Sequence, residues 1–243
     1  MELDFRLPLV LERLRGFRLV VPVASPKGGV GKTTVAAGVS LLLARRGVPV
    51  SLLDTDFTNP TTHVMLGADV SGVLPEEEKG VLPVRVEPGL EFMSPAFYSK
   101  DKPLPLRGRE LVDALREILA VTRWSGRVLV VDTPPGLSDS LLELLRLNRE
   151  AKVLVVSTCD RMSLVSTMRI LEFLKQERVS VLGVVANMCG SCDMLKEHLG
   201  VEPLGCLPFI EELRSLEGDR SALAQALAPG LKGVVEQMLA LVL

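Results

Sequence analysis

The stretch SPKGGVGKTT (25–34) lies between an apolar run, LVVPVA (19–24), and a segment with apolar residues at helical spacing, VAAGVSLLLARRG (35–47). A glycine-rich turn lets successive backbone N–H groups point at one anion, and the helix after it presents its positive dipole end to the same anion. The amides predicted to surround a phosphate are those of Gly28, Gly29, Val30, Gly31, Lys32, Thr33 and Thr34. Lys32 would neutralise β- and γ-phosphate charge, and the Thr33 hydroxyl would bind Mg²⁺.

The composition is that of a globular protein, with 47% hydrophobic and 24% charged residues among 243. The formal net charge of −2 disfavours a protein that coats nucleic acid, and the 4% of aromatic residues disfavours base-stacking surfaces. The sequence has no apolar run of about 18 residues that could span a bilayer, and MELDFRLP (1–8) lacks the basic start of a secretory signal. We therefore expect a cytoplasmic protein that binds neither membrane nor specific nucleic acid.

Apolar, β-branched-rich runs alternate with segments of helical periodicity, which is typical of βαβ units. The predicted strands are 19–24, 48–53, 127–131, 152–157 and 179–186. The predicted helices are 31–46, 109–122, 139–148, 163–177, 193–199 and one near 221–241. This pattern predicts an α/β fold, a doubly wound, mostly parallel sheet with helices on both faces.

We predict one domain over residues 1–243, with residues 1–18 as an N-terminal extension. The segment 70–107 is rich in Pro and Gly, and we interpret it as an excursion from the sheet that holds a short hairpin of VLPVRVE (81–87) and LEFMS (90–94). Pro22 cannot donate a ladder hydrogen bond, so we expect either a missing hydrogen bond there or a strand that begins after it.

Acidic residues come directly after two of the predicted strands. The triplet Asp54-Thr55-Asp56 follows 48–53, and Asp132 follows 127–131. In an open α/β sheet the ligand lies beyond the carboxyl ends of the strands. A hydrolytic phosphate site needs one carboxylate that holds Mg²⁺ through water and another group that orients the attacking water. Either acid of the triplet could face the metal, and such an Asp could instead simply cap the next helix.

The phosphate loop departs from the strict G-x-x-x-x-G-K-[ST] pattern at Pro26 and instead has a second lysine, Lys27, ahead of the glycines. KGGVGKTT (27–34) resembles the deviant Walker A sequence of the MinD/ParA/Mrp class of P-loop ATPases. The resemblance implies ATP or ADP with Mg²⁺ as ligands, and a homodimer that sandwiches nucleotide, with Lys27 reaching the partner's phosphates. It also implies that Asp56 positions the attacking water and that Asp132 is the Walker B acid, bound to Mg²⁺ through water.

Longer stretches resemble one branch of that class, the Mrp/ApbC-type iron–sulfur carrier ATPases. DTDFTNP (54–60) and DTPPGLSD (132–139) are similar to its two switch regions. VVANM (184–188) is similar to its V-V-E-N-M, which implies that Asn187 reads the adenine edge. LGCLP (204–208) resembles the strand and loop that flank the base, which brings Pro208 to the nucleotide.

Cys189 and Cys192 form a C-x-x-C pair directly after the Asn-Met dipeptide. Without a predicted secretory signal, this spacing favours metal, cluster or redox chemistry over a structural disulfide. The resemblance implies that one pair from each of two protomers holds a bridging [4Fe–4S] cluster, and zinc would accept the same four sulfurs. We interpret Cys159 and Cys206 as core or pocket-wall residues.

The sequence is compatible with two functions. The first is a slow ATPase that carries iron–sulfur clusters to apo recipient proteins. The second is a positioning or partitioning ATPase whose nucleotide-dependent dimer binds DNA, membrane or a partner protein. The net charge and the terminal segment LKGVVEQMLALVL (231–243), which lacks a basic face, favour the first. The two histidines, His63 and His198, are too isolated to form a metal set, and we expect each to lie at the surface or at a helix cap.

Overall fold

The computed structural model describes residues 4–243 and contains an eight-stranded sheet. The strands are β1 (Leu19–Ala24), β2 (Val50–Asp54), β3 (Val84–Glu87), β4 (Leu90–Met93), β5 (Val128–Asp132), β6 (Lys152–Ser157), β7 (Ser180–Ala186) and β8 (Gly205–Cys206). Their order is β3-β4-β2-β5-β1-β6-β7-β8, and every neighbouring pair is parallel except β3 and β4. The predicted α/β fold with a mostly parallel sheet is confirmed.

Helices connect the strands. They are α1 (Leu7–Arg15), α2 (Lys32–Arg45), α3 (Thr62–Leu66), α4 (Ala96–Ser99), α5 (Arg109–Val121), α6 (Asp139–Leu147), α7 (Arg161–Gln176), α8 (Asp193–Leu199) and α9 (Arg220–Val242), with a 3₁₀ helix at Glu211–Leu216. All six predicted helices form, within about two residues at each end. α1, α3 and α4 were not predicted. α1 lies within the segment interpreted as an extension, and it buries Val10 and Leu14 in the core.

The central strands are buried along their whole length. Every residue of β1, β2 and β5 is buried, so both faces of the sheet are covered at these positions. This explains why their sequences are continuously apolar rather than alternating. The polar side chains at their carboxyl ends are thereby held on a rigid edge.

The hairpin predicted within 70–107 forms, but the expectation that this segment leaves the sheet is wrong. β4 pairs in parallel with β2, so the hairpin is one edge of the main sheet. This pairing buries Glu91 of β4, a charged residue that is only 5% exposed. Its carboxylate accepts hydrogen bonds from the hydroxyls of Ser51 and Ser125, both at 2.5 Å, and these bonds offset the burial of its charge.

Pro22 interrupts pairing on one side of β1 only. The ladder with β5 runs from Leu19 to Val23 and passes Pro22, which lies opposite Val131. The ladder with β6 begins only at Val23. The strand therefore does not begin after the proline, and pairing is lost only on the β6 side.

The helix that follows the phosphate loop packs closely on the last helix of the chain. A Cβ at Gly38 of α2 would overlap the side chains of Leu227 and Leu231 on α9, so the missing side chain lets the two helices approach. Both leucines are buried, as is Leu223 one turn earlier. None of the helices between residues 4 and 243 is long and apolar enough to cross a membrane.

Candidate functional site

The glycine-rich loop joins the end of β1 to the start of α2. Gly29 and Gly31 have φ values of 79° and 81°, in the left-handed region that glycine adopts without a steric penalty. Gly31 is also the N-cap of α2, and a Cβ there would overlap the side-chain amide of Asn187. The Gly136 amide donates to Ser25 O at 2.7 Å, so the loop is fixed to the segment after β5.

A cavity of about 320 Å³ opens above this loop. The residues around it are Ser25, Lys27, Gly28, Gly29, Val30, Gly31, Lys32, Thr33, Asp56, Asn59, Thr61 and Pro135. The structure therefore brings the loop predicted to bind phosphate and the carboxylate of Asp56 to one space. Thr34 is buried and does not line the cavity.

Lys32 and Asp132 form an ion pair at the inner end of the loop. Lys32 Nζ lies 2.5 Å from Asp132 Oδ1, and the two side chains are 10% and 3% exposed. The Thr62 hydroxyl donates to the second carboxylate oxygen, Oδ2, at 2.9 Å. Asp132 is thus bonded at once to the phosphate loop and to α3. Sequence analysis missed Thr62, whose only signal is its place eight residues after the end of β2.

Asp54 lies beside Asp132 because the two residues are register partners in the pairing of β2 with β5. Burial, and next the negative charge of Asp132, raise the pKa of Asp54 to about 7. Its carboxylate accepts hydrogen bonds from the backbone N–H of Asp56 at 2.9 Å and of Thr62 at 3.3 Å. Two buried carboxyl groups therefore face a single lysine, and the raised pKa of Asp54 means that the two are not readily charged together; a bound cation would favour the charged form of both.

Asp56 differs from Asp54 in its surroundings. Its Oδ1 accepts from the Thr58 hydroxyl at 2.8 Å and from the Asn59 N–H at 3.0 Å, so the side chain shapes the turn that follows β2. Asp56 is the acid of the triplet that lines the cavity, whereas Asp54 is 1% exposed; which of the two faces a metal stays a prediction.

Lys27 lines the cavity and forms an ion pair at the start of α7. Its Nζ lies 3.0 Å from Asp160 Oδ2. Asp160 is the N-cap of α7 and accepts from the Ser163 N–H at 3.0 Å. Hydrogen bonds from Thr158 and Ser163, and then from Lys27, hold the pKa of the Asp160 carboxyl well below its usual range. Sequence analysis missed Asp160, although an aspartate directly before a segment of helical periodicity is a capping signal.

Asn187 is buried at the end of β7, against the phosphate loop. Its Nδ2 donates to Val30 O at 2.8 Å. The following residue, Met188, has a positive φ of 57°, and its side chain also reaches the space beside Gly31. Pro208 comes two residues after the end of β8 and is exposed.

The structure contains two disulfides that the sequence did not predict, whereas the ligand role of Cys189 and Cys192 stays a prediction. Disulfides join Cys159 to Cys189 and Cys192 to Cys206, with Cα–Cα distances of 5.6 and 6.2 Å. Cys189 and Cys192 are therefore each bonded to a cysteine that we interpreted as a core or pocket-wall residue. Sequence spacing missed this because the contacts are made between β6, β7 and β8, which are neighbours only in the folded sheet.

In this disulfide-bonded form, residues 4–243 contain no group of three or more His, Cys, Asp or Glu side chains arranged to hold a metal ion. His63 is buried, at 6% exposure, so its expected surface position is wrong. Its Nε2 lies 3.2 Å from Asp101 Oδ1, and its Nδ1 has no partner. His198 lies exposed on α8, as expected.

A family model described as ParA, NUBPL iron-transfer P-loop NTPase, matches residues 16–219. The chain belongs to this family. Its members are nucleotide-binding P-loop NTPases, and the class as a whole hydrolyses nucleotides. The resemblance inferred from the loop and switch sequences is thereby confirmed.

An iron-sulfur cluster carrier protein from Pseudomonas fragi is 34% identical to this NTPase over 238 residues, which is 89% of this chain and 82% of that protein. Among solved structures, a nucleotide-binding protein from Archaeoglobus fulgidus in complex with ADP has a TM-score of 0.73 and 25% identity, over 90% of this chain and 93% of that one. The cell division ATPase MinD of Pyrococcus furiosus shares the fold, with a TM-score of 0.68 and 21% identity over 90% and 98% of the two chains.

Proposed function

We propose that this protein is a dimeric Mg²⁺-dependent ATPase that carries iron–sulfur clusters. The observation that carries the ATPase part is the cavity of about 320 Å³, in which the glycine-rich loop and Asp56 face the same space. The carrier part rests on the family and on four cysteines gathered at the neighbouring strand ends. A positioning or partitioning ATPase remains the alternative that the experiment below tests.

The phosphates of ATP would lie against the backbone amides of Gly28 to Thr34. Lys32 would leave Asp132 for the β- and γ-phosphates, whose greater negative charge makes them the stronger partner. Thr33 would bind Mg²⁺ directly, and Asp132 would hold it through water. The metal supplies charge neutralisation to the phosphates when bound. The residues fit it, because two buried carboxylates face one lysine in its absence.

Asp56 is proposed to align the attacking water, since it is the carboxylate that faces the cavity. Asn187 and Pro208 would flank the adenine at the other end of the loop. Asn187 already holds the loop through Val30 O, so the residue proposed to read the base also positions the phosphate-binding turn.

The hydrogen bond from Thr62 to Asp132 would couple nucleotide binding to the position of α3. When Lys32 moves to phosphate, Asp132 would keep the Thr62 hydroxyl and exchange the lysine for Mg²⁺ held through water. The same threonine donates its N–H to Asp54, so α3 is held by both carboxylates. A change in what Asp132 binds would therefore move α3, and hydrolysis would reach the dimer surface through it.

Iron–sulfur clusters are the proposed cargo. The disulfide-bonded sulfurs of Cys189 and Cys192 offer no thiolates, so loading would require their reduction first. The cargo would then pass to apo iron–sulfur proteins.

The test is anaerobic reconstitution of dithiol-reduced protein with iron and sulfide, comparing the wild type with Cys189→Ser. We expect a cluster chromophore in the wild type that is lost in the variant, while both hydrolyse ATP. A colourless wild-type protein that still hydrolyses ATP would overturn the carrier function and favour the positioning alternative. Absence of ATP hydrolysis by the wild-type protein would overturn the proposed ATPase activity.

A further inference from the structure

A second cavity, of about 690 Å³, lies beside the turn that follows β2. It shares no lining residue with the cavity above the phosphate loop. Its walls are formed by Phe57, by α5, by the turn at residues 77–81 and by the segment 93–106. Cavities of about 300–1,000 Å³ with mostly apolar walls and a few polar groups are typical of sites for small molecules.

Backbone hydrogen bonds hold the walls of this cavity in place. The Val81 N–H donates to Val121 O and the Arg123 N–H donates to Val81 O, both at 2.8 Å, so the turn at 77–81 is fixed to the end of α5. The Leu104 N–H donates to Phe57 O at 3.0 Å, which fixes the segment 93–106 to the turn after β2. The cavity is therefore preformed, as sites for small molecules usually are.

One of the buried residues that line the cavity is polar. Phe57, Val81 and Met93 are buried and apolar. Thr122, which follows the last residue of α5, is fully buried and also lines the cavity. Its hydroxyl has no hydrogen-bond partner among residues 4–243. A buried hydroxyl without a partner is unfavourable, and a polar group on a bound ligand would remove that cost.

The charges around the rim of the cavity are balanced. Glu77, Lys79 and Glu117 line it and are exposed, and Glu117 is paired with Arg6, whose Nη1 lies 3.6 Å from Glu117 Oε2. Two acids and two bases give an ion no net attraction, and an ion that reached Thr122 would lose its hydration among apolar walls. The rim and the interior therefore both favour an uncharged ligand.

We propose that this cavity is a binding site for a small, uncharged, lipophilic molecule with one hydrogen-bonding group, which pairs with the Thr122 hydroxyl. Ala114 and Thr122 both line the cavity, and eight residues of helical rise separate them by about 12 Å. The cavity is thus elongated along α5, and two rings in line match its shape better than a single ring does.

The site adjoins the phosphate-loop cavity through two consecutive residues. Asp56 lines the cavity above the loop, and Phe57, which is 2% exposed, lines this one. A ligand packed against Phe57 would restrain the turn that Asp56 shapes, so the occupancy of one site would change the affinity of the other. This coupling rests on the proposed nucleotide site, whereas binding of the lipophilic ligand does not.

The test titrates full-length protein with three probes of one shape, 4-phenylphenol, biphenyl and biphenyl-4-carboxylate, by isothermal titration calorimetry. We expect one 4-phenylphenol per protomer, and at least about tenfold weaker binding of the carboxylate. Thr122→Val keeps the shape of the side chain and removes the hydroxyl. It should weaken 4-phenylphenol by about 2- to 10-fold and leave biphenyl unchanged. Thr122→Ser, the matched control, keeps the hydroxyl and should preserve the wild-type ratio of the two affinities.

A second pair of variants tests the location of the probe. Ala114→Phe should fill the cavity and abolish binding of 4-phenylphenol. Glu110→Phe adds the same ring one turn earlier on α5, at an exposed residue outside the cavity, and should bind as the wild type does.

Absence of saturable 4-phenylphenol binding, equal affinity for the carboxylate, or undiminished binding in Ala114→Phe would overturn the proposal. Equal loss of 4-phenylphenol and biphenyl in Thr122→Val would overturn the role of the hydroxyl. If the variants fold poorly, the three probes decide the matter on wild-type protein. Dissociation of dimers by 4-phenylphenol in analytical ultracentrifugation would mean that a second copy of the chain covers the cavity, and would overturn the assignment to a small molecule.

The coupling is measured with ADP. Saturating 4-phenylphenol should change ADP affinity by about fivefold or more, and saturating ADP should change 4-phenylphenol affinity by the same factor. Unchanged ADP affinity would overturn the coupling and leave the lipophilic site standing. Absence of ADP binding beside intact 4-phenylphenol binding would count against the proposed nucleotide site alone.

Discussion

Lys27 Nζ lies 3.0 Å from Asp160 Oδ2 within the same protomer, and the two side chains are 45% and 48% exposed. The lysine proposed to act on a partner's nucleotide is thus held by its own chain, at the start of α7. A half-exposed ion pair of this kind contributes about 0–1 kcal/mol, so it restrains Lys27 without locking it.

Asp160→Asn should therefore release Lys27 for the dimer. Asn caps a helix as well as Asp does, so the bond to the Ser163 N–H is kept and only the charge is lost. We expect ATP-dependent dimerisation to tighten by up to about fivefold for each lysine released, as measured by analytical ultracentrifugation.

Asp219→Asn is the matched control, because Asp219 caps α9 in the same way and no lysine is paired with it. Its dimer affinity should equal that of the wild type. Weaker dimerisation in Asp160→Asn than in this control would contradict the role assigned to the ion pair.

Lys32→Met should destabilise the nucleotide-free protein, because it leaves Asp54 and Asp132 buried together without a cation. Breaking a buried pair by removing one partner costs about 3–5 kcal/mol. Urea denaturation measures the free energy of unfolding. The double variant Lys32→Met/Asp132→Asn removes one of the stranded charges, and it should recover about 1–3 kcal/mol of the loss. Equal stability of the single and double variants would show that the stranded charges do not cause the loss.

Gly31→Ala should destabilise the loop by about 2 kcal/mol or more. Its φ of 81° is strained for alanine, and the new Cβ would displace the Asn187 amide from Val30 O. Gly28→Ala is the control, because nothing lies within 4 Å of a Cβ at that position. We expect the control to change the unfolding free energy by less than about 1 kcal/mol. A similar cost at both positions would argue against the role of the Asn187 contact.

His63 predicts a pH dependence of stability. Burial lowers the pKa of His63 below its ordinary value, despite the opposing effect of Asp101. In the unfolded chain a histidine takes up a proton near pH 6.5, whereas the folded protein resists it. The unfolded state therefore binds more protons as the pH falls, and the free energy of unfolding decreases.

Urea denaturation at pH 7.5 and pH 5.5 tests this. His63→Gln should lose less stability than the wild type over this interval. The only other histidine, His198, is exposed on α8, and His198→Gln should keep the wild-type loss. Parallel behaviour of all three proteins would exclude His63 as the cause.

The central part of the fold follows from local sequence. The apolar runs that form β1, β2, β5 and β6 alternate with segments of helical periodicity. Strands, helices and the parallel orientation of the strands can therefore be inferred. The loop between β1 and α2 could be placed for the same reason. Its glycines and lysines are consecutive in sequence, and the geometry they require is local.

The features that sequence did not predict depend on contacts between distant segments. From sequence alone, Glu91 is expected to face solvent. In the fold, β2 brings Ser51 beside it, and the segment before β5 brings Ser125. Cys159 and Cys206 read as core residues for the same reason, because their partners lie 30 and 14 residues away. Spacing in the chain cannot report which strand ends become neighbours.

The close packing of α9 on α2 matters during synthesis of the chain, because the two helices are made at different times. The phosphate loop and α2 precede residues 220–242 in the chain, so the leucines that cover Gly38 are synthesised after α2. Until these leucines emerge from the ribosome, the nascent chain exposes the apolar surface of α2, the helix that follows the phosphate loop. A nascent chain that has not yet reached α9 therefore exposes apolar surface, and it is a natural client for chaperones.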